Sequence, residues 1–491
     1  MLRLMVYCKG KMSTLEALRD LFIRYASCSG QIINTRKSSI HAGGISHGRL
    51  NSMVQLLGFS IGTLPFTYLG APIFKGKPKR IHFQCIADKI KNKLAYWKAC
   101  LLSIAGRAQL IKYVVQGMLI HTMSVFSWPT SLLRDIEKWI KNFLWSGDTD
   151  KRKLVTISWK KVCGNYDEGG LGIRSLVNLN QATNLKMCWD LMQSDEDWAI
   201  LLRRRVLRNS TCIKHHIFSS IWSGVIQSLH LQPSQIHRFP SKLCHYSHNF
   251  HWKISEEVNQ IVPNLSFLIY HVTIPSHNHP DRLIWKHNST GDLTLKEAYN
   301  FKKHRYPTLQ WAKIIWSKDF PPSKSLLVWR LMLNKLPTDD NLSARGCLLP
   351  SMCSLCGNQE ETSFHLFFEC MYAVNLWCWF ASMINRTLQF QSMEDMWSIC
   401  NASWNPQCKI IITATMINII NSIWFAGNQM RFQNKIIHRK SSLATVKSNT
   451  ALCGNISKVV ASNNISNFVI LKKFDVTLHP PRAPQIIEVI W

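Results

Sequence analysis

The 491-residue chain is predicted to fold as an α-rich α+β, multidomain protein. Three observations predict it. Apolar residues make up 46% of the chain and include 19 Trp, enough to fill real cores and to exclude wholesale disorder. Apolar positions recur at helical spacing over most of the length, with short extended pieces between them. The length itself has room for about two to four domains.

The elements follow in order along the chain. Leu15 to Tyr25 reads as a helix, followed by a turn at Ser29-Gly30 and an extended piece from Gln31 to Asn34. A further turn and strand run through residues 57–74. Ile86, Ile90, Leu94 and Trp97 then recur at helical spacing, with Lys89, Lys91, Lys93 and Lys98 around the other faces. A second helix follows Ala105-Gly106-Arg107, with Leu110, Ile111, Val114 and Val115 as its apolar face. A third runs through Ile136, Trp139, Ile140, Phe143 and Leu144, and ends before Ser146-Gly147-Asp148. Three helices sharing one apolar seam predict a bundle with a cationic exterior. The Gly169-Gly170-Leu171-Gly172 loop precedes helices over roughly 176–207. Residues 208–280, rich in His, Ser and Pro, read as a poorly packed connector. Trp285 begins a short strand pair ending near Leu295, and Lys296 to Tyr299 starts a helix. After Pro321-Pro322 a helix over Ser325 to Asn334 is broken by Leu336-Pro337-Thr338. Beyond residue 436 the Ser/Asn/Lys-rich sequence is expected to be mobile.

Charge narrows the partners. Lys and Arg number 59 against 28 Asp and Glu, a net charge of +31. Between Lys75 and Lys161 there are 18 basic residues and five acids. Such an excess points to a polyanion, RNA or DNA held by backbone contacts. No membrane partner is expected. The longest apolar run, Ile410 to Ala426, is interrupted by Asn418, Asn421 and Ser422 and reads as a buried helix. The apolar part of the N-terminus is too short for a signal peptide. The expected location is therefore nuclear or cytoplasmic, not secreted, with the scattered cysteines reduced.

One cluster carries specific chemistry. Cys353, Cys356, His365 and Cys370 form C-x2-C-x8-H-x4-C. Thiolate and neutral imidazole are ligands that Zn²⁺ prefers, and four of them close a tetrahedral shell with no position for water. The pattern therefore predicts a structural Zn²⁺ rather than a catalytic one. Gly357 follows the first pair and supplies backbone freedom to its turn. Glu361, Thr362 and Ser363 offer capping chemistry for a helix beginning near His365, from whose start His365 and Cys370 would project. Trp377 and Trp379 nearby offer an apolar surface for a possible protein partner of this zinc module.

Several strings together resemble a known family. SGQIINTRKSS (29–39), LPFTYLGAPIFKG (64–76), LSIAGRAQLIKYVV (102–115) and EGGLGIRSL (168–176) are similar to plant non-LTR (LINE-type) retrotransposon reverse transcriptases. Residues 315–342, followed by the Cys/His cluster, resemble the reverse-transcriptase zinc-binding domain of those elements. The resemblance implies a partial palm over 1–75 and a thumb-like helical bundle over 76–160. It implies a helical connector over 161–280, the zinc-binding domain over 281–385, and a helix with a mobile tail over 386–491 leading toward an absent RNase H domain. It places Lys37 in the palm and Tyr68, Leu69 and Gly70 at the primer-grip turn. The candidate nucleic-acid contacts are Lys37, Tyr68, Lys75, Lys77, Lys79, Lys89, Lys91, Lys93, Arg107 and Lys112.

The same resemblance makes the missing carboxylates informative. A polymerase holds two Mg²⁺ ions on clustered acids. The positions matching the family's aspartate pair hold Leu2 and Arg3, and the first sixty residues contain only Glu16 and Asp20. Residues 401–491 contain only Asp475 and Glu488, too few for RNase H chemistry. No catalytic residues are expected, and no endonuclease domain is expected before position 1. The sequence thus predicts a truncated, catalytically inactive reverse-transcriptase-like protein with residual nucleic-acid binding. Its alternatives are a zinc-module interaction fragment and a decayed retroelement copy with no selected role.

Overall fold

The computed structural model describes residues 4–480 apart from 98–101, 154–156, 462–463 and most of 209–286. Leu2, Arg3, Lys98, most of the expected connector and the last eleven residues lie outside it. Helix dominates the described residues. Strands occur there as four two-stranded pairs of two or three residues per strand. The α-rich expectation holds at that level. The chain divides into two compact units, each assembled from separate segments.

The first unit comprises residues 1–88, 119–132 and 179–301. Helix α1 (Met12–Ser29) ends on Gly30, whose left-handed backbone (φ 68°) lets its N–H return to Ala26 O. It packs on α2 (His47–Leu57), which also ends on a left-handed glycine, Gly58. Strand β1 (Ser39–Ile40) pairs parallel with β2 (Ser60–Ile61), and β3 (Phe66–Tyr68) antiparallel with β4 (Ala71–Ile73). The β3–β4 turn consists of Leu69 and Gly70, both at positive φ. Two further small pairs join residues 207–208 to 211–212 and 247–248 to 251–252. Phe74, Phe83, Phe126 and Trp128 fill one core with stacked and edge-on rings. Buried Asn180 closes the polar ends of that core. Its amide donates to the carbonyls of Met123 and Phe126 and accepts from Trp128 N–H at 2.8 Å. A second cluster gathers Cys188, Leu191, Ala199, Val206, Trp222 and Val225. Among the described residues, the strand pair expected from Trp285 is represented by one backbone bond, Trp285 N–H to Gly291 O at 2.7 Å.

The helices predicted between residues 80 and 146 form with one refinement. Helix α3 spans Arg80–Tyr96 and buries Ile90 and Leu94. Helices α4 (Ile104–Leu110) and α5 (Gln116–Met123) run on through a five-residue π-turn, Ile111–Val115. Helix α6 (Thr130–Ser146) buries Ile136, Ile140, Phe143 and Leu144, the spacing its sequence predicts. Helices α8 (Leu176–Gln193) and α9 (Asp197–Val206), preceded by the short α7 (Trp159–Val162), occupy the stretch expected to be helical after the glycine loop.

The second unit comprises residues 89–118, 133–178 and 302–491. Its central element is a 28-residue helix, preceded by α10 (Leu295–Lys302, all but its last residue in the first unit) and then by α11 (Gln310–Ile315), α12 (Pro322–Met332), α13 (Asp339–Ser343) and α14 (Met371–Ile384). The central helix, α15 (Pro406–Gln433), is long and apolar enough to cross a membrane, yet most of its apolar stretch is buried against protein. Two of its polar interruptions are satisfied internally: Asn418 donates to Thr450 and accepts from Lys324 at 2.6 Å, and Asn421 donates to Lys324 O and Ile417 O. A buried helix can carry such residues when each has a partner.

The tail differs from expectation. Residues 439–473 form α16 (Arg439–Ile456) and α17 (Ile465–Lys473), both packed on α15. The reason is a sparse stripe that a compositional reading passes over. Val446, Thr450, Cys453 and Gly454 are buried, and a Cβ on Gly454 would stand 2.3 Å from Ile411 Cδ1. Glycine there lets two helices meet at close range.

The EGGLG string also acquires a structural reason. Gly170 approaches Gly164 so closely that a Cβ would meet its carbonyl oxygen at 2.1 Å. Glu168 forms a buried ion pair with Lys303 at 2.8 Å, and the Trp329 indole donates to Gly169 O at 2.8 Å. The glycine loop and helix α12 are thereby tied together.

Candidate metal centre

Two local structures deliver the four ligands. The first is the turn Cys353–Gly357, closed by Gly357 N–H on Cys353 O at 2.8 Å, with Gly357 at φ 65°. Within it the backbone N–H groups of Leu355 and Cys356 point at the Cys353 sulfur. The second is a π-turn, His365–Glu369, entered through a Thr362 cap: Thr362 Oγ1 accepts from His365 N–H at 3.0 Å.

The π-turn corrects the expectation of one helix bearing both His365 and Cys370. On an α-helix, residues five apart lie well around the axis from one another, about 140° at 100° per residue. Here Cys370 N–H bonds back to His365 O at 2.7 Å, the wider loop of a π-turn, which returns Cys370 to the side of His365. Cys370 then leaves helical backbone (ψ 134°) and becomes the N-cap of α14. Its sulfur accepts from the N–H groups of Tyr372 and Ala373, the donors a helix start leaves unpaired.

The ligand atoms converge, all four within 4.8 Å of one another. Cys353 Sγ lies 3.9 Å from Cys370 Sγ, and Cys356 Sγ 3.4 Å from His365 Nε2. A tetrahedral zinc with ordinary Zn–S and Zn–N bonds requires S···S near 3.8 Å and S···N near 3.6 Å, and both observed pairs lie within about 0.2 Å of those values. The donor set and its spacing therefore fit a closed four-coordinate zinc. Cys353, Cys370 and His365 are buried. The other imidazole nitrogen, Nδ1, is buried without a hydrogen-bond partner, 3.9 Å from Glu369 Oε2, the carboxylate that can orient a ligating ring.

Electrostatics around the thiols follow from these contacts. Cys353 donates its S–H to Cys370, and that bond together with burial holds Cys353 far above the ordinary thiol range. Accepting the same bond holds Cys370 below it, with the helix N–H groups acting in the same direction.

Beneath the cluster lies an ion-pair triad that sequence reasoning missed. Arg431, near the end of α15, donates to Asp339 Oδ1 at 2.5 Å and to Glu361 Oε1 at 2.8 Å. Asp339 and Glu361 are only 1% and 4% exposed, so two buried carboxylates share one guanidinium. Glu361, expected to cap the helix, is spent on this pair instead. Ser363 is likewise drawn away, into a network with Thr338, Asn341 and Asn334 at 2.8–3.2 Å. The doubled acid in LPTDDNL was the available signal, since two adjacent acids at the start of a five-residue helix are an unusual burial.

The candidate nucleic-acid contacts fare unevenly. Lys37, Lys75, Lys77, Lys79, Lys89 and Lys93 are exposed, and Tyr68 is half-buried on its hairpin. Lys91 pairs with Asp150 at 3.0 Å and lies over the Trp139 ring. Arg107 turns inward: it is buried and donates to Leu144 O, because its helix start faces α6. Lys112 folds onto the Tyr166 ring and hydroxyl. Trp377 is also interior, its indole donating to Phe367 O, and Trp379 packs on Phe474.

Residues 293–377 match the family model described as zinc-binding in reverse transcriptase. Over that span the chain resembles the zinc-binding domain of reverse transcriptases. This reverse-transcriptase-like chain is 21% identical over 400 residues to a provisionally named ribonuclease H protein of Arabidopsis thaliana. That match covers 72% of this chain and 64% of the relative, so it spans a little under two thirds of the relative's length. It is also 28% identical over 117 residues to an uncharacterized mitochondrial protein of Arabidopsis thaliana, covering 23% of this chain and 76% of that one. All four ligands, and the whole of LPTDDNL, lie within the matched span.

Proposed function

We propose that this reverse-transcriptase-like chain is a non-catalytic nucleic-acid-binding protein whose second unit is held together by one structural Zn²⁺. The observation that carries the metal is the convergence of Cys353, Cys356, His365 and Cys370 at tetrahedral spacing. The zinc would be held by those four side chains and would supply cross-linking, with no ligand position left for chemistry.

Binding to nucleic acid is supported by the lysines of residues 75–93. Lys75, Lys77, Lys79, Lys89 and Lys93 are exposed, and among the described residues none pairs with a carboxylate. Lys89 and Lys93 sit four apart on α3, on one face of the helix. Exposed, unneutralised lysines release counterions when a phosphate backbone replaces them, which makes such binding steeply salt-dependent. Catalytic silence is supported by the acids. Glu16 and Asp20 are both exposed on α1, and Asp20 pairs with neighbouring Arg19. Among the described residues the Cys/His cluster is the one convergence of three or more metal-ligating side chains.

Anisotropy of a labelled single-stranded RNA against the zinc-loaded full chain tests this reading. Salt-dependent binding that weakens when Lys89, Lys91 and Lys93 are reversed to Glu supports it. Binding indifferent to those reversals contradicts it. A second reading, protein docking by the zinc module, is favoured by the exposed Leu348 and Met352 beside the metal turn. It predicts partner capture that survives the same lysine reversals.

A further inference from the structure

Lys91, Lys112 and Lys161 of the second unit each lie over an aromatic ring, and they differ in what else is near. Lys91, over Trp139, pairs with Asp150 at 3.0 Å. Lys161, over Tyr306, donates to Glu168 O at 2.8 Å, and the Glu168 carboxylate helps to hold its proton. Lys112 differs. Its Nζ lies 4.2 Å from the centre of the Tyr166 ring and donates to the Tyr166 hydroxyl. Among the described residues no carboxylate pairs with it.

The amine is held in a notch. Lys112 sits in the π-turn Ile111–Val115, and the facing wall is the glycine loop. A Cβ on Gly172 would stand 3.4 Å from Lys112 Nζ and 3.4 Å from Tyr166 Cε2. One turn further on, Gln116 donates to Arg174 O at 2.9 Å and pins that loop to the helix carrying the lysine. Trp316 stands beside the Tyr166 ring, 5.1 Å between centroids. Ring and glycine backbone give an ammonium little solvation and no countercharge, so the neutral amine is favoured. Burial accordingly brings Lys112 down to about 8. It also raises Tyr166, whose hydroxyl therefore stays protonated and supplies no negative charge. Tyr166 is nonetheless 38% exposed, so the notch opens to solvent.

We infer that Lys112, in its notch between the Tyr166 ring and Gly172, is a modification site that takes an acyl group from an acyl phosphate. A lysine kept from water and from acids is a ready nucleophile. The neutral nitrogen attacks the carbonyl carbon of the donor. The C–N bond forms as the C–O bond to phosphate breaks, phosphate leaves with that electron pair, and the surplus proton on nitrogen passes to it. A small anionic donor suits an open notch on a chain of net charge +31. The product is a neutral amide, so acylation withdraws one cation from the helical segment that carries it. This site goes beyond the proposed function, because it involves neither the metal nor a bound nucleic acid.

Limited acylation of the zinc-loaded full chain with acetyl phosphate, mapped lysine by lysine by mass spectrometry, tests the site. At about pH 7 roughly a tenth of the chains carry a neutral Lys112 amine, against fewer than about one in a thousand for an ordinary lysine. A less basic nitrogen is also a weaker nucleophile, which offsets part of that gain. Lys112 is expected to take up acetyl about tenfold faster than exposed Lys89, and faster than Lys161 beside its acid. The preference narrows as the pH rises toward about 10, where ordinary lysines also lose their proton. Tyr166→Leu removes the ring and the hydroxyl and is expected to bring Lys112 down to the rate of Lys89. Should that variant fail to fold, the wild type in concentrated urea replaces it, since unfolding must erase a preference built by the notch. Acylation of Lys112 no faster than that of Lys89, or a preference that survives Tyr166→Leu or urea, overturns the inference.

Discussion

Arg431 donates to Glu361 at 2.8 Å across seventy residues of sequence, joining the central helix to the loop that separates the two halves of the metal motif. The second arm of the same guanidinium reaches Asp339. Removing it leaves two carboxylates buried side by side. Arg431→Met is therefore expected to destabilise the chain by about 3 kcal/mol, the range for uncovering one side of a buried ion pair. Urea denaturation checks the loss. Zinc competition with a chelator should show weaker retention in the same variant, because the loop carrying Glu361 also carries the ligands.

The close approach of α15 and α16 predicts a second sensitivity. A Cβ at Gly454 would meet Ile411 and Val476 inside contact distance. Gly454→Val is expected to cost about 2 kcal/mol by overpacking, read as a lower melting temperature with unchanged zinc content. Gly117, whose added Cβ would meet nothing, is the control.

Lys112 gives a pH signature. Burial lowers it to about 8 from the ordinary 10.5, and burial raises its partner Tyr166. Below pH 8 folded and unfolded chains both keep the lysine proton. Between pH 8 and about 10 the unfolded chain binds more protons, so stability rises with pH. Above that range the raised Tyr166 reverses the slope. Lys112→Met should flatten the rise in a melting series across pH 7–10, and an unchanged profile would contradict the burial of this amine.

How far the sequence reached depends on the kind of signal. Periodic apolar residues such as Ile136, Ile140, Phe143 and Leu144 announced their helix because amphipathicity is written locally. The four metal ligands were legible for a similar reason, as soft donors at fixed short spacing. The π-turn was not, since His365 and Cys370 look alike in an α-helix and a π-turn until the Cys370 backbone is placed. Arg107 was misread as a surface contact because a helix-start arginine looks solvent-directed until Leu144 O is opposite it. The packed tail escaped notice because Val446, Thr450 and Gly454 make a stripe of small residues that composition alone does not distinguish from a linker.

The glycine loop offers a further check. Lys303→Met would leave Glu168 buried without its cation and is expected to destabilise the chain by about 3 kcal/mol. The double variant Lys303→Met with Glu168→Leu should recover most of that loss, measured by the same denaturation. Failure to recover would mean that the pair is not the contact joining this loop to the rest of its unit.

The most direct measurement is metal content of the purified chain by elemental analysis, beside Cys356→Ser. The wild type is expected to hold one zinc per chain and to lose thermal stability when the metal is chelated, because binding energy at a closed site is folding energy. Cys356→Ser is expected to lose both the zinc and that stability. A wild-type chain that purifies without zinc, takes none up on titration, and melts as Cys356→Ser does would contradict the account at its centre.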